Sequence, residues 1–378
     1  MRNTLICTVG TSLFEANLKN LRSNADRNPA SVPANWSALL GAYQTKNWIT
    51  LVNELLKVDP SSRVCGAEIN TVEEMRKQKW WSLENLYFLV SDTVEGENTG
   101  QVLKGYFAKR ADLKLKEVDF TKIEKLQDTN PQEFKTHGLR NLVREIGKYL
   151  QRFGTEQVAI DATGGYKAQI AIAVVVGQAL NVPVYYKHER FSEIIEFPPM
   201  PIALDYDILA ENADILSDFE RNQTFSATEL GEMDDRLRVF LSEVPIDNEV
   251  HFELNAIGQI YLTGFRLRYL PRVKLEEAEN RTLPTFGNDH HYPPGSKEFV
   301  NKVWQENSWI TTIHSIPYGG QKGIKEIGFR VNHQGEERQL VATFKHDDFG
   351  AKFRIRLPDE TNVKLALAAD RLNQQYRP

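Results

Sequence analysis

Two apolar runs, each ending in a glycine-and-hydroxyl turn that opens a helix, constrain this chain more than any other feature. The segment 160–169 (IDATGGYKAQ) leaves an apolar strand, Gln157 to Ile160, and enters an apolar helix, Ala168 to Leu180. Thr163, Gly164 and Gly165 make the turn, and Lys167 stands in the first helical turn. Glycine lets a backbone approach a ligand closely. A helix N-terminus offers free N–H groups and partial positive charge. The combination suits a phosphate-bearing ligand, and taken alone it suits a tight turn with a solvated Lys equally well. Neither GxxxxGK[ST] nor GxGxxG is present. Near the other end of the same segment of chain, the run Thr4 to Val9 leads into Gly10, Thr11 and Ser12 and then an amphipathic stretch to Leu21. In an open α/β sheet a ligand sits at the carboxyl ends of strands, where the strand order reverses.

Between these turns the pattern alternates. Helical spacing covers Trp36–Leu56, Ala67–Met75, Gly100–Lys109 and Phe134–Phe153. Strands are expected at Asn85–Val90, Leu113–Val118 and Val182–Lys187, with a hairpin from Ile194. The fold class expected is α/β, a Rossmann-like parallel sheet with helices on both faces. Length, 378 residues, allows two or three domains. A net charge of −5 argues against a chain that binds nucleic acid along its whole surface. Cys7 and Cys65 are the only cysteines, and Cys7 lies in an apolar strand, so a buried free thiol and a reducing compartment are expected. With no signal-like N-terminus and no apolar run near the roughly 20 residues that span a bilayer, a cytoplasmic protein without a membrane partner is expected.

Four stretches together, Thr8–Leu13 (TVGTSL), Ala67–Ile69 (AEI), Val90–Gly96 (VSDTVEG) and Asp161–Lys167 (DATGGYK), resemble a CRISPR-associated Rossmann fold (CARF) domain, and Val184–His188 before Ile194–Pro199 fits as well. The resemblance covers residues 1–205. It implies a sensor for a cyclic oligoadenylate, with cyclic tetra-adenylate the preferred allosteric ligand. It also implies a homodimer whose two sensor domains face each other across that ligand. The family's ligand loops fall on Gly10, Thr11, Ser12, Thr163, Gly164, Gly165 and Lys167. Ser91, Asp92 and Glu95 border the same edge as weaker candidates, since carboxylates repel phosphate.

Residues 206–280 read as a winged helix-turn-helix and connector: helices over Ile208–Phe219 and Asp234–Glu243, Ser226 as an N-cap, then a strand-like element at Gln259–Leu262. Over 207–262 there are thirteen Asp and Glu against three Arg. Phosphate binding needs the opposite sign, so a docking or linking role is favoured over DNA binding. A basic cluster (Arg266, Arg268, Arg272, Lys274) then gives way to Glu276, Glu277 and Glu279. His290 and His291 invite a metal, but no further Cys or His pair stands at ligand spacing, and no metal or other cofactor is expected.

Residues 281–378 read as a small α+β domain: a helix over Ser296–Gln305, strands at Trp309–Ile313, Ile324–Val331, Gln339–Phe344 and Ala351–Leu357, and a closing helix over Glu360–Tyr376. Its strands are cationic. Arg354 and Arg356, two apart, face the same way. The layout resembles the RelE-type messenger-RNA interferases, which cleave RNA on the ribosome without metal. It implies Arg338, Arg354 and Arg356 on the scissile phosphate, with Lys325 and Lys345 as acid/base groups. The resulting expectation is a type III CRISPR ancillary effector: a metal-independent endoribonuclease gated by cyclic oligoadenylate, acting on RNA and the ribosome. Two alternatives stay open. One is a metal-dependent nuclease behind the same sensor, for which Asp289, Glu326 and Lys345 are available but no Glu-x-Lys is. The other is a winged-helix transcription regulator.

Overall fold

The computed structural model describes residues 2–78, 82–188, 193–201, 204–212, 219, 224–226, 235–288, 291–316, 327–334, 337–347 and 349–376. The chain separates into two units. One comprises Met1–Leu204, Arg238–Val244 and Glu253–Gly264; the other comprises Asp205–Leu237, Pro245–Phe252 and Phe265–Pro378.

The first unit is built on strands β1 (Thr4–Thr8), β2 (Asn85–Val90), β3 (Glu117–Lys122), β4 (Val158–Asp161), β5 (Val184–Tyr186) and β6 (Ile195–Phe197), in the spatial order β3-β2-β1-β4-β5-β6. The first five are parallel and β6 pairs antiparallel with β5. Every residue of β1, β2 and β4 is buried, as a sheet covered on both faces requires. Leu5, Cys7, Leu86, Phe88, Val90 and Ala159 enter one core with the helices between β1 and β3. The alternate residues face the other way, and Tyr87 meets Tyr149 and Phe153 of the Leu139–Phe153 helix at ring-centroid distances of 4.4 and 5.7 Å.

Several elements differ from the sequence reading. Trp36–Leu56 is two helices, Trp36–Gln44 and Trp48–Leu55. Lys46 turns into the left-handed region at φ 53°, and the Asn47 side chain caps the second helix through the Thr50 N–H at 3.0 Å. The helix expected from Gly100 begins at Val94, because the Thr93 hydroxyl accepts the Gly96 N–H at 2.9 Å. The strand expected at Leu113–Val118 is β3, four residues later. Leu113 closes a helical turn and Lys114 is left-handed at φ 52°.

The middle segment departs most. Where a helix was expected over Asp234–Glu243, a short helical turn, Asp235–Phe240, leads into strand β8 (Leu241–Ile246), and β9 (Glu249–Leu254) returns beside it. Asp247 and Asn248 turn the hairpin, both with positive φ (49° and 66°), as a two-residue turn of the primed type requires. A two-residue strand, β7 (Phe225–Ser226), pairs antiparallel with β9, so Ser226 ends a strand, while the residues it was expected to cap, 227–234, lie outside the described residues. The stretch read as strand-like, Gln259–Leu262, lies inside the helix Ala256–Gly264, which Asn255 caps through the Gly258 N–H at 2.9 Å. Of the helix expected over Ile208–Phe219, the described helical residues are Asp207–Glu211 and Phe219.

The second unit carries an antiparallel sheet of β10 (Thr312–Ser315), β11 (Gly328–Gln334), β12 (Glu337–His346) and β13 (Phe349–Arg356), ordered β10-β13-β12-β11. Phe329, Val331, Leu340, Ala342, Phe353 and Ile355 pack in one core with Val300 and Val303 of the Ser296–Glu306 helix and with Leu365 and Leu372 of the closing helix, Asn362–Tyr376. The opposite sheet face takes the alternate residues, Arg354 and Arg356 among them.

Candidate functional site

The order β3-β2-β1-β4 places the reversal of strand order between β1 and β4. Cys7 lies beside Asp161 in the parallel register. The two turns that follow these strands therefore emerge side by side at the carboxyl edge of the sheet.

Their backbones are in contact. A Cβ on Gly10 would come within 2.8 Å of the Gly165 nitrogen, and one on Gly164 would fall on Glu68 Oε1 and within 2.9 Å of Gly10 N and Thr8 O. Gly165 has φ 110°, which side chains other than glycine's rarely adopt. Thr8 Oγ1 donates to Gly164 O at 2.5 Å. Thr163 Oγ1 has every position filled: it donates to Asp161 Oδ1 at 2.5 Å and accepts from Lys187 N at 2.9 Å and Thr71 Oγ1 at 3.2 Å.

Two buried carboxylates hold the turns from below. Glu68 Oε1 accepts the Gly10 N–H at 2.9 Å, and Asp161 Oδ1 accepts the Thr163 N–H at 3.0 Å. Glu68 Oε2 and Asp161 Oδ2 are buried without a hydrogen-bond partner among the described residues. Burial raises the Glu68 carboxyl, with the Gly10 N–H pulling the other way. Burial pushes Asp161 up to about 7; the Thr163 hydrogen bonds oppose this and nearby Glu68 adds to it. The Cys7 thiol beside them is raised well above its ordinary value by burial and by both carboxylates. Burial of both carboxyls thus favours their neutral forms, which lowers the negative charge beneath an anionic ligand.

Above this floor opens a cavity of about 430 Å³, within the ~300–1,000 Å³ typical of small-molecule sites. Gly10, Thr11, Ser12, Thr163, Gly164 and Gly165 all line it. Lys167 does not: it is exposed in the first turn of the Lys167–Leu180 helix. The basic residues at the cavity are Arg63, Lys187 and His188. Lys187 and His188 follow β5, the neighbour of β4, so the same edge receives them; a parallel strand directly preceding a Lys-His pair was the signal for both. Ser91, Asp92 and Glu95 do not line the cavity. Asp92 Oδ2 instead accepts the Lys125 N–H at 2.9 Å.

The second unit has a basin of its own, about 470 Å³, lined by Arg338, Arg354, Arg356, Glu337, Glu360 and Asn362. Antiparallel pairing brings the start of β12 to the end of β13, which gathers the three arginines. Arg354 lies 3.6 Å from both Glu337 and Glu360, and Arg356 lies 3.1 Å from Glu360. Arg338 Nη1 and Arg354 Nε are buried without a hydrogen-bond partner among the described residues. Glu360, which the sequence reading left out, stands just before the closing helix and also accepts the Leu357 N–H at 3.2 Å. Lys345 is seven residues along β12 from Arg338, roughly 23 Å at strand rise, beside Gly350. Lys325, Asp289, Glu326 and His290 lie outside the described residues. Among the described residues no group of three or more His, Cys, Asp or Glu is placed to hold a metal, and no helix is long and apolar enough to cross a membrane.

With both sites in view, the comparisons bear on the first unit. Residues 63–200 match the family model described as CRISPR-associated protein (Cas_APE2256). This span carries Arg63, Thr71, the 163–165 turn and Lys187, and it is less than half of the chain. Among curated proteins none matches the chain. Among solved structures the chain is similar to Can2 from Sulfobacillus thermosulfidooxidans in complex with cyclic tetra-adenylate (cA4). The identity is 9% and the TM-score 0.25, over 91% of this chain and 74% of that one.

Proposed function

We propose that the first unit binds a cyclic oligoadenylate, cyclic tetra-adenylate by preference, and that the second unit cleaves RNA without a metal once the ligand is bound. The reading places the protein among the ancillary effectors of type III CRISPR systems. The observation that carries it is the polar cavity at the strand-order reversal, walled by two glycine-and-hydroxyl turns and fringed by Arg63, Lys187 and His188. The CARF-like motifs lie on those turns, and the CRISPR-associated family match spans one of them. Backbone N–H groups, hydroxyls and flanking cations are what a phosphodiester needs. A ring with twofold symmetry calls for two such cavities facing each other, hence a homodimer.

For the second unit, the support is the arginine basin. Arg338, Arg354 and Arg356 would hold the scissile phosphate and stabilise the extra charge of the phosphorane-like state formed when the 2′-OH attacks. A phosphate there would displace the carboxylates of Glu337 and Glu360 from the guanidinium groups. Glu360 is then placed to take the 2′-OH proton. Lys325 stays a proposed acid/base group, while a phosphate held by the three arginines would be out of reach of Lys345. Messenger RNA on the ribosome is the proposed target. Activation by ligand requires two states of the protein that differ in ligand affinity.

Calorimetric titration with cyclic tetra-adenylate tests the ligand. Saturable binding at one ring per two chains, weakened by Ser12→Ala and Lys187→Ala, is expected. No heat of binding with rings of any size would end the reading.

A further inference from the structure

The ligand cavity does not stop at the two turns. It shares Ala16, Asn17 and Arg63 with a second cavity of about 490 Å³. Asn17, 8% exposed, donates from Nδ2 to the Arg63 carbonyl at 2.7 Å and so fixes the chain at the junction. Beyond it the groove is walled by one side of the helix Leu21–Arg27 and the residue before it. Asn20, Ser23, Asn24 and Arg27 stand at i, i+3, i+4 and i+7, a single helix face. Leu21 and Ala25 take the opposite face into the core.

Two features of this wall point to a ligand. Among the described residues no carboxylate lines either cavity, although Asp and Glu outnumber Lys and Arg in the chain, 51 to 46. Of the acids that flank these residues in sequence, Glu15 is tied to Lys19 at 2.7 Å, and Asp26, beside Arg27, is exposed and lines neither cavity. Arg27 has no ion pair or hydrogen bond among the described residues, and the Asn24 amide has no hydrogen bond there either, whereas the Asn20 amide is engaged by the Glu15 and Ala16 carbonyls.

We propose that this groove is a second nucleotide subsite of the same ligand, Arg27 taking a phosphodiester and the Asn24 amide an adenine edge. The inference rests on the cyclic-oligoadenylate reading above. An amide side chain matches adenine's paired donor and acceptor, N6–H and N7, and matches guanine's two acceptors only once. The ligand backbone would run from the Gly10–Ser12 turn past Arg63 and along the helix face, so each chain would engage more than one nucleotide of the ring.

The test is equilibrium binding of cyclic tetra-adenylate and of linear tetra-adenylate to the full chain, as a function of salt. The unaltered protein is compared with Arg27→Ala, Asn24→Ala and, as a control, Arg22→Ala, an exposed residue of the same helix outside the groove. Arg27→Ala should weaken the ring about tenfold, the usual effect of losing a charge-assisted contact. It should also lower the salt slope by about 0.7. Asn24→Ala should reduce the preference for adenylate over guanylate rings, and Arg22→Ala should change neither property. An Arg27→Ala protein that binds like Arg22→Ala overturns the subsite and leaves the first cavity standing. Linear tetra-adenylate bound as tightly as the ring, with the same dependence on Arg27, also overturns it, since the groove would then hold an RNA strand. If the unaltered protein binds no ring, this inference and the reading beneath it fall together.

Discussion

Glu68 Oε1 accepts the Gly10 N–H at 2.9 Å, so a carboxylate with no exposed surface fixes the turn that ends β1. The same oxygen occupies the space that a side chain on Gly164 would need. One buried acid thereby registers both turns. Gly164→Ala is expected to lower stability by about 1–3 kcal/mol, the usual cost of forcing an extra carbon into a packed site, and to weaken ring binding beyond that. Thermal melting and calorimetry on the same protein separate the two effects. Unchanged melting and unchanged binding would show that the turns are looser than described.

Asp161 gives the site a pH dependence whose sign is fixed. Its carboxyl is raised to about 7 in the folded chain, against about 3.9 unfolded. Below the unfolded value both states hold the proton and there is no penalty. As pH rises from about 4 to about 7 the unfolded state ionises first, so this group progressively destabilises the fold. Asp161→Asn keeps an oxygen for Thr163 and cannot ionise. The melting temperature of Asp161→Asn relative to the unaltered protein is expected to rise across that window and level off above it. A difference independent of pH would contradict the shift.

Arg140 is fully buried and lies 3.6 Å from Glu253, which His137 also meets at 3.1 Å; Arg140 Nη1 donates to the Leu254 carbonyl at 2.9 Å. Burial lowers the Arg140 pKa and the Glu253 charge opposes that. Removing one partner of such a pair typically costs about 3–5 kcal/mol, while replacing both with apolar groups costs far less. Arg140→Leu should therefore melt well below the Arg140→Leu/Glu253→Leu double variant. Equal melting would mean that the pair is not coupled.

In the arginine basin, Arg354→Ala is expected to reduce RNA cleavage by about a hundredfold or more, as loss of a transition-state donor does, while ring binding by the first unit stays unchanged. Glu360→Gln should bind RNA more tightly, because the guanidinium groups of Arg354 and Arg356 lose a competing charge, and should cleave it more slowly. Tighter binding with undiminished cleavage would remove Glu360 from the proton-transfer role.

The sheet of the first unit was readable because its central strands carry near-continuous apolar runs: Asn85–Val90 is β2 to the residue, and Thr4–Val9 differs from β1 only at Val9. The two turns were readable because glycine beside hydroxyls directly after such a strand marks the chain leaving the sheet edge for a helix. Other features hid for physical reasons. Glu68 reads as a surface residue of an amphipathic helix, and only the fold shows that it points into the core. β3 alternates charged with apolar residues at the sheet edge, so no continuous apolar run marks it. In the middle segment the primed turn Asp247-Asn248 was the local signal, outweighed by helical spacing in the residues before it. The basin carboxylates come from positions 23 residues apart, Glu337 and Glu360, and no local pattern links them.

The most direct measurement is RNA cleavage by the full chain in EDTA, with and without cyclic tetra-adenylate, on free transcripts and on translating ribosomes. Cleavage that appears only with the ring, persists in EDTA, concentrates on ribosome-bound message and vanishes in Arg354→Ala is the expected result. Cleavage that needs restored Mg²⁺, or none at all with the ring bound, would contradict the assignment of the second unit and leave the ligand site to stand alone.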